Sequence, residues 1–549
     1  MNLSTLFGSR RGVLGALLWA APVIFLGVFF FYPVANIVFN SVQQGSSGLY
    51  DTIASQRVRS AIWFTTWQAA LSTAVTVVIA MPCASLMART VGRAGTWLKA
   101  LVTVPFVLPT VVVGGAFKEL FERIHGSLGL PNLNQTAAAI IVAHAFFNFA
   151  VVARTVSAYW SGLDHQLEEQ ARTLGDSSNR VFWQVTWPRL KPSIFAAGAI
   201  TFLFSFTSFG VILILGGLRQ ATIETEIFRH AVVRGDLLTS SSLAMIQIVA
   251  VLCLVAVTSS LERRANTNTQ MVRGVIAPMR RAAKFGVISF TVLFLGSPLV
   301  VMIERSLRVG ENYGVQNYRA LFEKIPQLPT TSAQALGNSV LYGLIATVLA
   351  LLIGLLCSMA IVSNTNATGR ALDIAATLPL GVSAVTVGLG ILITLNRPPI
   401  DWRTSWWIVP VAHALVAVPF VVRSIVPMLR QIHPSIREAA ALLGSSQFRI
   451  RREIDLPLVA RGLTVAAGFA FAISLGEFGA TSFLPRRADT LTGPQAVFRL
   501  LSTPGDLLRG QAMALSVVLA LAVATAVIFS ELLSVRRSRS RKVDLPIAS

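Results

Sequence analysis

The side chains of this 549-residue chain that could do chemistry are few, and several stand where charge is costly. His144, His413 and Glu477 each interrupt a long apolar run, and an ionisable group there faces a protein interior or a water-filled cavity in preference to lipid. The two histidines hold matching positions in related segments, about eight residues from the outer ends of their runs, or on the order of 12 Å deep at helical rise. Glu477 has Ser208 as its counterpart, and both precede Phe-Gly, as Phe478-Gly479 and Phe209-Gly210. Two roles are open. The group lines or gates a path, with Glu477 beside His413 or His144, or it fixes helix packing through interhelical hydrogen bonds. Arg154 and Arg423, at the inner ends of matched runs, read as snorkelling residues.

Other chemistries find little support. The six histidines are scattered, and no His, Cys or Asp cluster has metal-ligand or catalytic spacing. Cys83, Cys253 and Cys357 lie in apolar runs without paired spacing and read as small core residues. A phosphate-binding loop needs Gly-Lys before Ser or Thr, and none of the six lysines follows a Gly, so no nucleotide site and no directly bound cofactor is expected.

A polar segment occurs twice with identical spacing. The first copy reads Glu169-Gln170-Ala171, Gly175, Val185, Pro188, and the second Glu438-Ala439-Ala440, Gly444, Ile454, Pro457. Each predicts a short helix with its Glu in the first turn against the helix dipole, then a Gly that leaves the helix through a backbone state closed to other residues. A second amphipathic stretch follows, and Pro188 or Pro457 is expected to break the pattern before the next apolar run.

The elements that position these residues are set by the solvent. The chain is 54% apolar and 13% charged, against about 25% charged in a soluble domain, and apolar runs long enough to cross a bilayer recur throughout. Twelve are expected, near 13–38, 62–86, 97–117, 136–158, 194–216, 241–261, 283–304, 337–362, 371–394, 406–428, 462–484 and 511–534. The net charge of +22 falls between them. With both termini inside, inner segments hold 27 of the 46 Lys and Arg, among them Arg10, Arg11 and the clusters at 172–191, 263–284 and 430–461, while outer segments hold 17. The basicity reads as topology and not as a nucleic-acid surface. Ser9-Arg10-Arg11 faintly resembles an export signal, but the apolar run continues to about Phe39, beyond signal length.

The halves of the chain repeat. Pro33 and Ser41 match Pro298 and Ser306; Gly95, Thr103, Pro105 and Gly114 match Gly369, Thr377, Pro379 and Gly388; His144 and Arg154 match His413 and Arg423. Six spans per half is even, so the repeat is parallel, with a pseudo-twofold axis along the membrane normal and a path between the halves. The expected organisation is a first half at 1–262 with its polar loop at 163–191, a basic linker at 263–283, a second half at 284–535 with its loop at 432–458, and a basic tail at 536–549.

The duplicated Glu-Ala-Ala, Gly, apolar-x-x-Pro pattern resembles the EAA loop of bacterial ABC importer permeases. The fusion of two such halves resembles the ferric iron and thiamine permeases over essentially the full chain. The resemblance implies an all-α membrane protein of twelve transmembrane helices, two parallel six-helix repeats of the type I importer kind, in the bacterial inner membrane. It also implies that Glu169, Ala171, Gly175, Pro188, Glu438, Ala439, Ala440, Gly444 and Pro457 couple the permease to two copies of a separate ABC ATPase, which supplies the ATP hydrolysis. An extracytoplasmic binding protein would deliver the solute, with ferric iron or thiamine the leading candidates and phosphonate, sulfate or molybdate the alternatives. An ion-coupled secondary transporter is disfavoured by the parallel repeat, the large polar loops and the scarcity of intramembrane acids, and a channel or membrane-embedded enzyme by the absence of any suitable cluster.

Overall fold

The computed structural model describes residues 19–543 apart from 44, 91, 218–219, 266–278, 365, 398–399, 403–404 and 485–486. Arg10 and Arg11, most of the linker and the last six residues of the tail therefore lie outside the described residues. In the first half the principal helices are α1 (Trp19–Gln43), α2 (Gln56–Arg89), α3 (Gly92–Val107), α4 (Thr110–Leu128), α5 (Ala137–Trp160), α6 (Gln166–Thr173), α7 (Trp187–Phe206), α8 (Ile223–Phe228) and α9 (Leu237–Ala265). In the second they are α10 (Arg281–Leu307), α11 (Ser332–Ser363), α12 (Ala367–Gly381), α13 (Ala384–Thr394), α14 (Ile408–Arg430), α15 (Pro434–Leu442), α16 (Leu456–Gly476), α17 (Gly493–Ser502) and α18 (Asp506–Val543). Two short hairpins, 308–313 and 396–401, are the strands found among the described residues.

The protein is an all-α membrane protein, but not one of twelve straight spans. Among the described residues nine helices are long and apolar enough to cross a membrane, or eleven if each of two bent pairs counts as one span. The run at 97–117 breaks between α3 and α4 with a 95° bend, and the run at 371–394 breaks between α12 and α13 with a 100° bend. The run at 194–216 stops at Phe206, and that at 462–484 stops at Gly476. An apolar run reports compatibility with lipid and says nothing of straightness. At the first bend Pro109 has no N–H and disfavours helix for Leu108 before it. At the second, the Ser383 side chain accepts from the Thr386 N–H and starts a new helix.

Each half has a three-helix core, α2 with α5 and α7, and α11 with α14 and α16. Lipid tails are as apolar as leucine, so these helices associate through close packing and not through exclusion of water. Small residues at every fourth position supply it. Ser72, Thr76, Ala80 and Ala84 on α2 are fully buried, and the matched positions of α11 hold Ala346, Ala350, Gly354 and Ser358, also buried. A Cβ on Gly354 would stand 2.6 Å from Val421 Cγ1 of α14. The first helix of each half packs on its own half's last helix and also reaches across to the other half: α1 on α9 and α13, and α10 on α18 and α4. Pro33 and Ile37 of α1 lie so close to Gly390 of α13 that a Cβ there would meet Pro33 Cβ at 2.8 Å.

The duplication extends to single hydrogen bonds. The Ile223 N–H donates to Thr65 Oγ1 at 3.0 Å, and the matched Gly493 N–H to Ser339 Oγ at 2.8 Å. Thr222 and Thr492 begin α8 and α17 with the same reciprocal cap.

The packing of Gly354 makes a direct prediction. Gly354→Leu overpacks the α11–α14 contact and destabilises the purified protein by about 1–3 kcal/mol, the usual range for overpacking. Gly286→Leu, at an exposed position with nothing within 4 Å, leaves the thermal midpoint unchanged.

Candidate coupling loops and central cavity

The two polar loops share one backbone design. In the first, α6 ends at Thr173, Gly175 takes φ +93°, its N–H donates to the Arg172 carbonyl at 3.0 Å, and the Asp176 N–H donates to Ala171 at 3.1 Å. In the second, Gly444 takes φ +81° and donates to Ala441 at 3.0 Å, while the Ser445 N–H donates to Ala440 at 3.0 Å. These paired bonds satisfy the last free carbonyls of each helix, and a left-handed residue between them is what requires Gly. Ser177 and Ser446 then cap the next helix by accepting from the N–H of Arg180 and Arg449.

Two sequence expectations need correction. Glu169 lies in the first turn of α6, but α15 begins four residues before Glu438, which leaves that Glu outside its first turn. Pro434 starts α15 early, because its fixed φ suits the first helical position. Nor do Pro188 and Pro457 break anything. Each follows one wide π-turn, in which the Trp187 N–H reaches back to Phe182 and the Leu456 N–H to Arg451, and each then sits second in α7 or α16. The wide turn shifts the hydrogen-bond register just before each proline, so the missing proline N–H does not end the helix. The helix therefore runs without interruption from the loop into the span.

The loops are fastened to those helices by residues that pattern reading passed over. The Thr186 hydroxyl donates to Glu168 Oε1 at 2.8 Å, with the His165 ring 3.4 Å from the same oxygen. At the matched positions the chemistry changes, for Arg437 Nε donates to Asp455 Oδ1 at 2.8 Å. The motif residues Glu169, Glu438, Ala439, Gly175, Gly444, Pro188 and Pro457 are exposed, and Ala171 and Ala440 half-buried. Beside the glycines, Leu174 and Leu443 are each 87% exposed. Both loops thus present a bare apolar side chain at the same place.

The four breaks converge on one cavity of about 330 Å³ between the halves. Its wall is made by Val107, Leu108 and Thr110, by Thr207, Ser208 and Phe209, by Val382, Ser383 and Ala384, and by Gly476, Glu477, Phe478 and Gly479. Further phenylalanines, Phe106, Phe147, Phe204, Phe420 and Phe469, complete an aromatic lining, with His144 and Asn148 among them. The two Phe-Gly pairs meet there. Phe209 and Phe478 stack across the halves with ring centroids 5.5 Å apart and planes 17° apart, and Phe228 of α8 and Phe498 of α17 pack against them at 5.3 Å.

The polar groups divide between the halves. Glu477, only 6% exposed, directs one carboxylate oxygen to the Ala480 N–H at 2.7 Å and the other to the Thr481 N–H at 3.0 Å, with the Thr481 hydroxyl also donating to it. His413 lies 3.3 Å from that carboxylate and bridges Ser474 Oγ at 2.7 Å and Thr481 Oγ1 at 2.8 Å. The structure thus joins Glu477 to His413, in a network that closes the turn after α16. His144 and Ser208 stand apart from it. His144 Nδ1 is 3.3 Å from Ser72 Oγ, while His144 Nε2 and Asn148 Oδ1 are buried with no hydrogen-bond partner among the described residues.

Matched helical halves, interlocked first helices and a cavity at their broken helices define a membrane permease. Residues 80–265 match the model of the binding-protein-dependent transport system inner membrane component family. The chain is 27% identical over 440 residues to the thiamine transport system permease protein ThiP of Brucella suis, covering 76% of this chain and 77% of that one, and 25% identical over 433 residues to ThiP of Escherichia coli, covering 76% and 78%. It is 30% identical over 244 residues to the putative 2-aminoethylphosphonate transport system permease protein PhnV of Salmonella typhimurium, covering 44% of this chain and 91% of that one. The chain belongs to this family: it is an ABC importer permease with both halves fused.

Two variants test the geometry. Gly444→Val forces a β-branched residue into left-handed backbone at a cost of about 1–2 kcal/mol. Trypsin should then cut the 432–458 loop in inside-out vesicles several-fold faster than in the parent. Glu477→Gln removes an acceptor for buried donors, which costs about 1–3 kcal/mol. The thermal midpoint should fall, whereas Ser208→Ala leaves it in place; unchanged uptake by Glu477→Gln would restrict Glu477 to packing.

Proposed function

We propose that this permease imports thiamine, or a closely similar organic cation with an aromatic ring, through the cavity between its halves, driven by two copies of a separate ATPase docked on the loops at 163–191 and 432–458. An extracytoplasmic binding protein would deliver the solute, and both termini would lie in the cytoplasm, a placement that the spread of basic residues favours. One observation carries the coupling role. The same helix, left-handed Gly and capped helix occur twice, each continuous with a membrane helix that ends at the cavity wall. Glu169, Glu438 and the bare Leu174 and Leu443 would make the ATPase contact.

Two observations favour thiamine over ferric iron. Relatives named as thiamine permeases align along three-quarters of the chain, with 76% covered in the Brucella suis protein. The cavity wall is aromatic, which suits a flat cationic ring through its π faces, while His144 Nε2 and Asn148 Oδ1 offer polar contacts. A phosphonate solute is the second reading, favoured by the likeness to PhnV.

The test is uptake of labelled thiamine by cells carrying this chain with its ATPase and binding protein. Uptake should stop on ATP depletion, persist when the membrane potential alone is collapsed, and fall at least tenfold in a Leu174→Asp, Leu443→Asp double variant that still reaches the membrane. Uptake of 2-aminoethylphosphonate without thiamine uptake would overturn the substrate assignment, and uptake that follows the potential alone would overturn the importer mechanism.

A further inference from the structure

The halves differ at one joint where their backbones agree. Beneath the second loop, between the end of α11 and the start of the helix leading into α16, lies a cavity of about 350 Å³. It is lined by Met359, Val362, Leu429 and Ile450 on its apolar side and by Ser363, Gln447, Arg437, Arg451 and Asp455 on its polar side. At the matched place in the first half the space is occupied. Arg89, the counterpart of Ser363, lies over the Trp160 ring at 5.1 Å and donates to the Ser85 carbonyl at 2.8 Å. Trp160, the counterpart of Leu429, packs against Phe182, the counterpart of Arg451, at 6.2 Å. Three large side chains that fill the first joint are thus a serine, a leucine and an arginine in the second.

The charge there is also unbalanced. Asp455 is the one acid in the lining, and it already accepts from Arg437 Nε at 2.8 Å, while Arg437 Nη2 donates to the Leu429 carbonyl at 3.3 Å. The Arg451 guanidinium, half-buried, makes no hydrogen bond and no close ion pair among the described residues and lies in the opposing fields of Asp455 and Arg437. A partly buried guanidinium without a fork partner, beside a second arginine and above an apolar floor, matches a phosphate carried on an apolar body.

We infer that this cavity is a binding site for a phosphate-bearing amphiphile, with Arg451 on the phosphate and Met359, Val362 and Leu429 on the apolar part, present in the second half only. The phosphate could come from an anionic lipid of the inner leaflet or from a soluble phosphate ester. In either case the ligand seats against Arg437 and Asp455, the pair that fastens the second loop to its membrane helix, so occupancy stiffens one loop and not the other.

The test uses the full chain in detergent and measures its thermal midpoint against dioctanoyl phosphatidic acid, phenyl phosphate and neutral dioctanoylglycerol. The expected result is a saturable rise with at least one of the two phosphates and none with dioctanoylglycerol. The half-saturating concentration should increase at least tenfold in Arg451→Phe, which copies the first half, and in Arg451→Gln, which removes the charge but stays polar should the aromatic variant misfold. Arg449→Ala, outside the lining, should match the parent. A response to phosphatidic acid identifies lipid as the source, and a response to phenyl phosphate alone identifies a soluble ester. Equal responses in the parent and both Arg451 variants, no response to either phosphate, or an equal response to dioctanoylglycerol overturn the site.

Discussion

Lipid offers no hydrogen bonds, so every backbone amide at membrane depth must find its partner inside the protein. The placement of the four helix breaks around the cavity follows from that constraint. A helix can stop at 107–110, 207–209, 381–384 or 476–480 only where other protein or a wet cavity receives the freed groups, and all four stops gather around one central space. The repair differs at three of them. Pro109 removes a donor, Ser383 caps a new helix, and Glu477 gathers the Ala480 and Thr481 amides onto its carboxylate. The cavity and the broken helices are one feature, because neither could exist in the bilayer without the other.

The same constraint explains why the halves look alike in backbone and unlike in side chains. Small-residue stripes, the caps at Thr222 and Thr492, and the left-handed glycines at 175 and 444 are set by backbone geometry, which the repeat preserves. Side chains that only have to satisfy one another can vary as a pair. Glu168 with Thr186 becomes Arg437 with Asp455, and the Glu477–His413 network faces a first half in which Ser208 takes the place of the acid and His144 keeps a buried nitrogen unpaired. A solute in such a cavity meets two chemically different walls.

Much of this was legible in the sequence, and the remainder has a common cause. Period and composition revealed the apolar runs, the repeat, the paired loops and the need for Gly at 175 and 444, because each depends on local residue type. The bends were hidden within runs that stay apolar across the break, although the matched Pro105 and Pro379 stand a few residues before them. The π-turns preceding Pro188 and Pro457 were equally hidden, since a proline reads as a stop unless a wide turn has already displaced the hydrogen-bond register. Phe209 and Phe478 were visible as a matched pair, but their stacking depends on how the halves face each other, which spacing along one chain does not encode.

The uninterrupted passage from loop to span bears on how force could travel. From Gln447 to Gly476 the chain is one helix of 30 residues, about 45 Å at 1.5 Å per residue, with the loop at one end and the cavity wall at the other. On the proposed reading this helix would act as a rod, carrying a displacement at its loop end to the turn at Glu477. Glu477 and its turn are where the rod ends, and the Phe478 ring beyond it is stacked on its counterpart Phe209. If both rods turn together, the two rings move in opposite senses about the pseudo-twofold axis and the stack parts. On the proposed reading, an ATPase acting at two matched loops therefore needs no signal relayed residue by residue, only two stiff helices and an aromatic contact of about 0.5–1.5 kcal/mol to break.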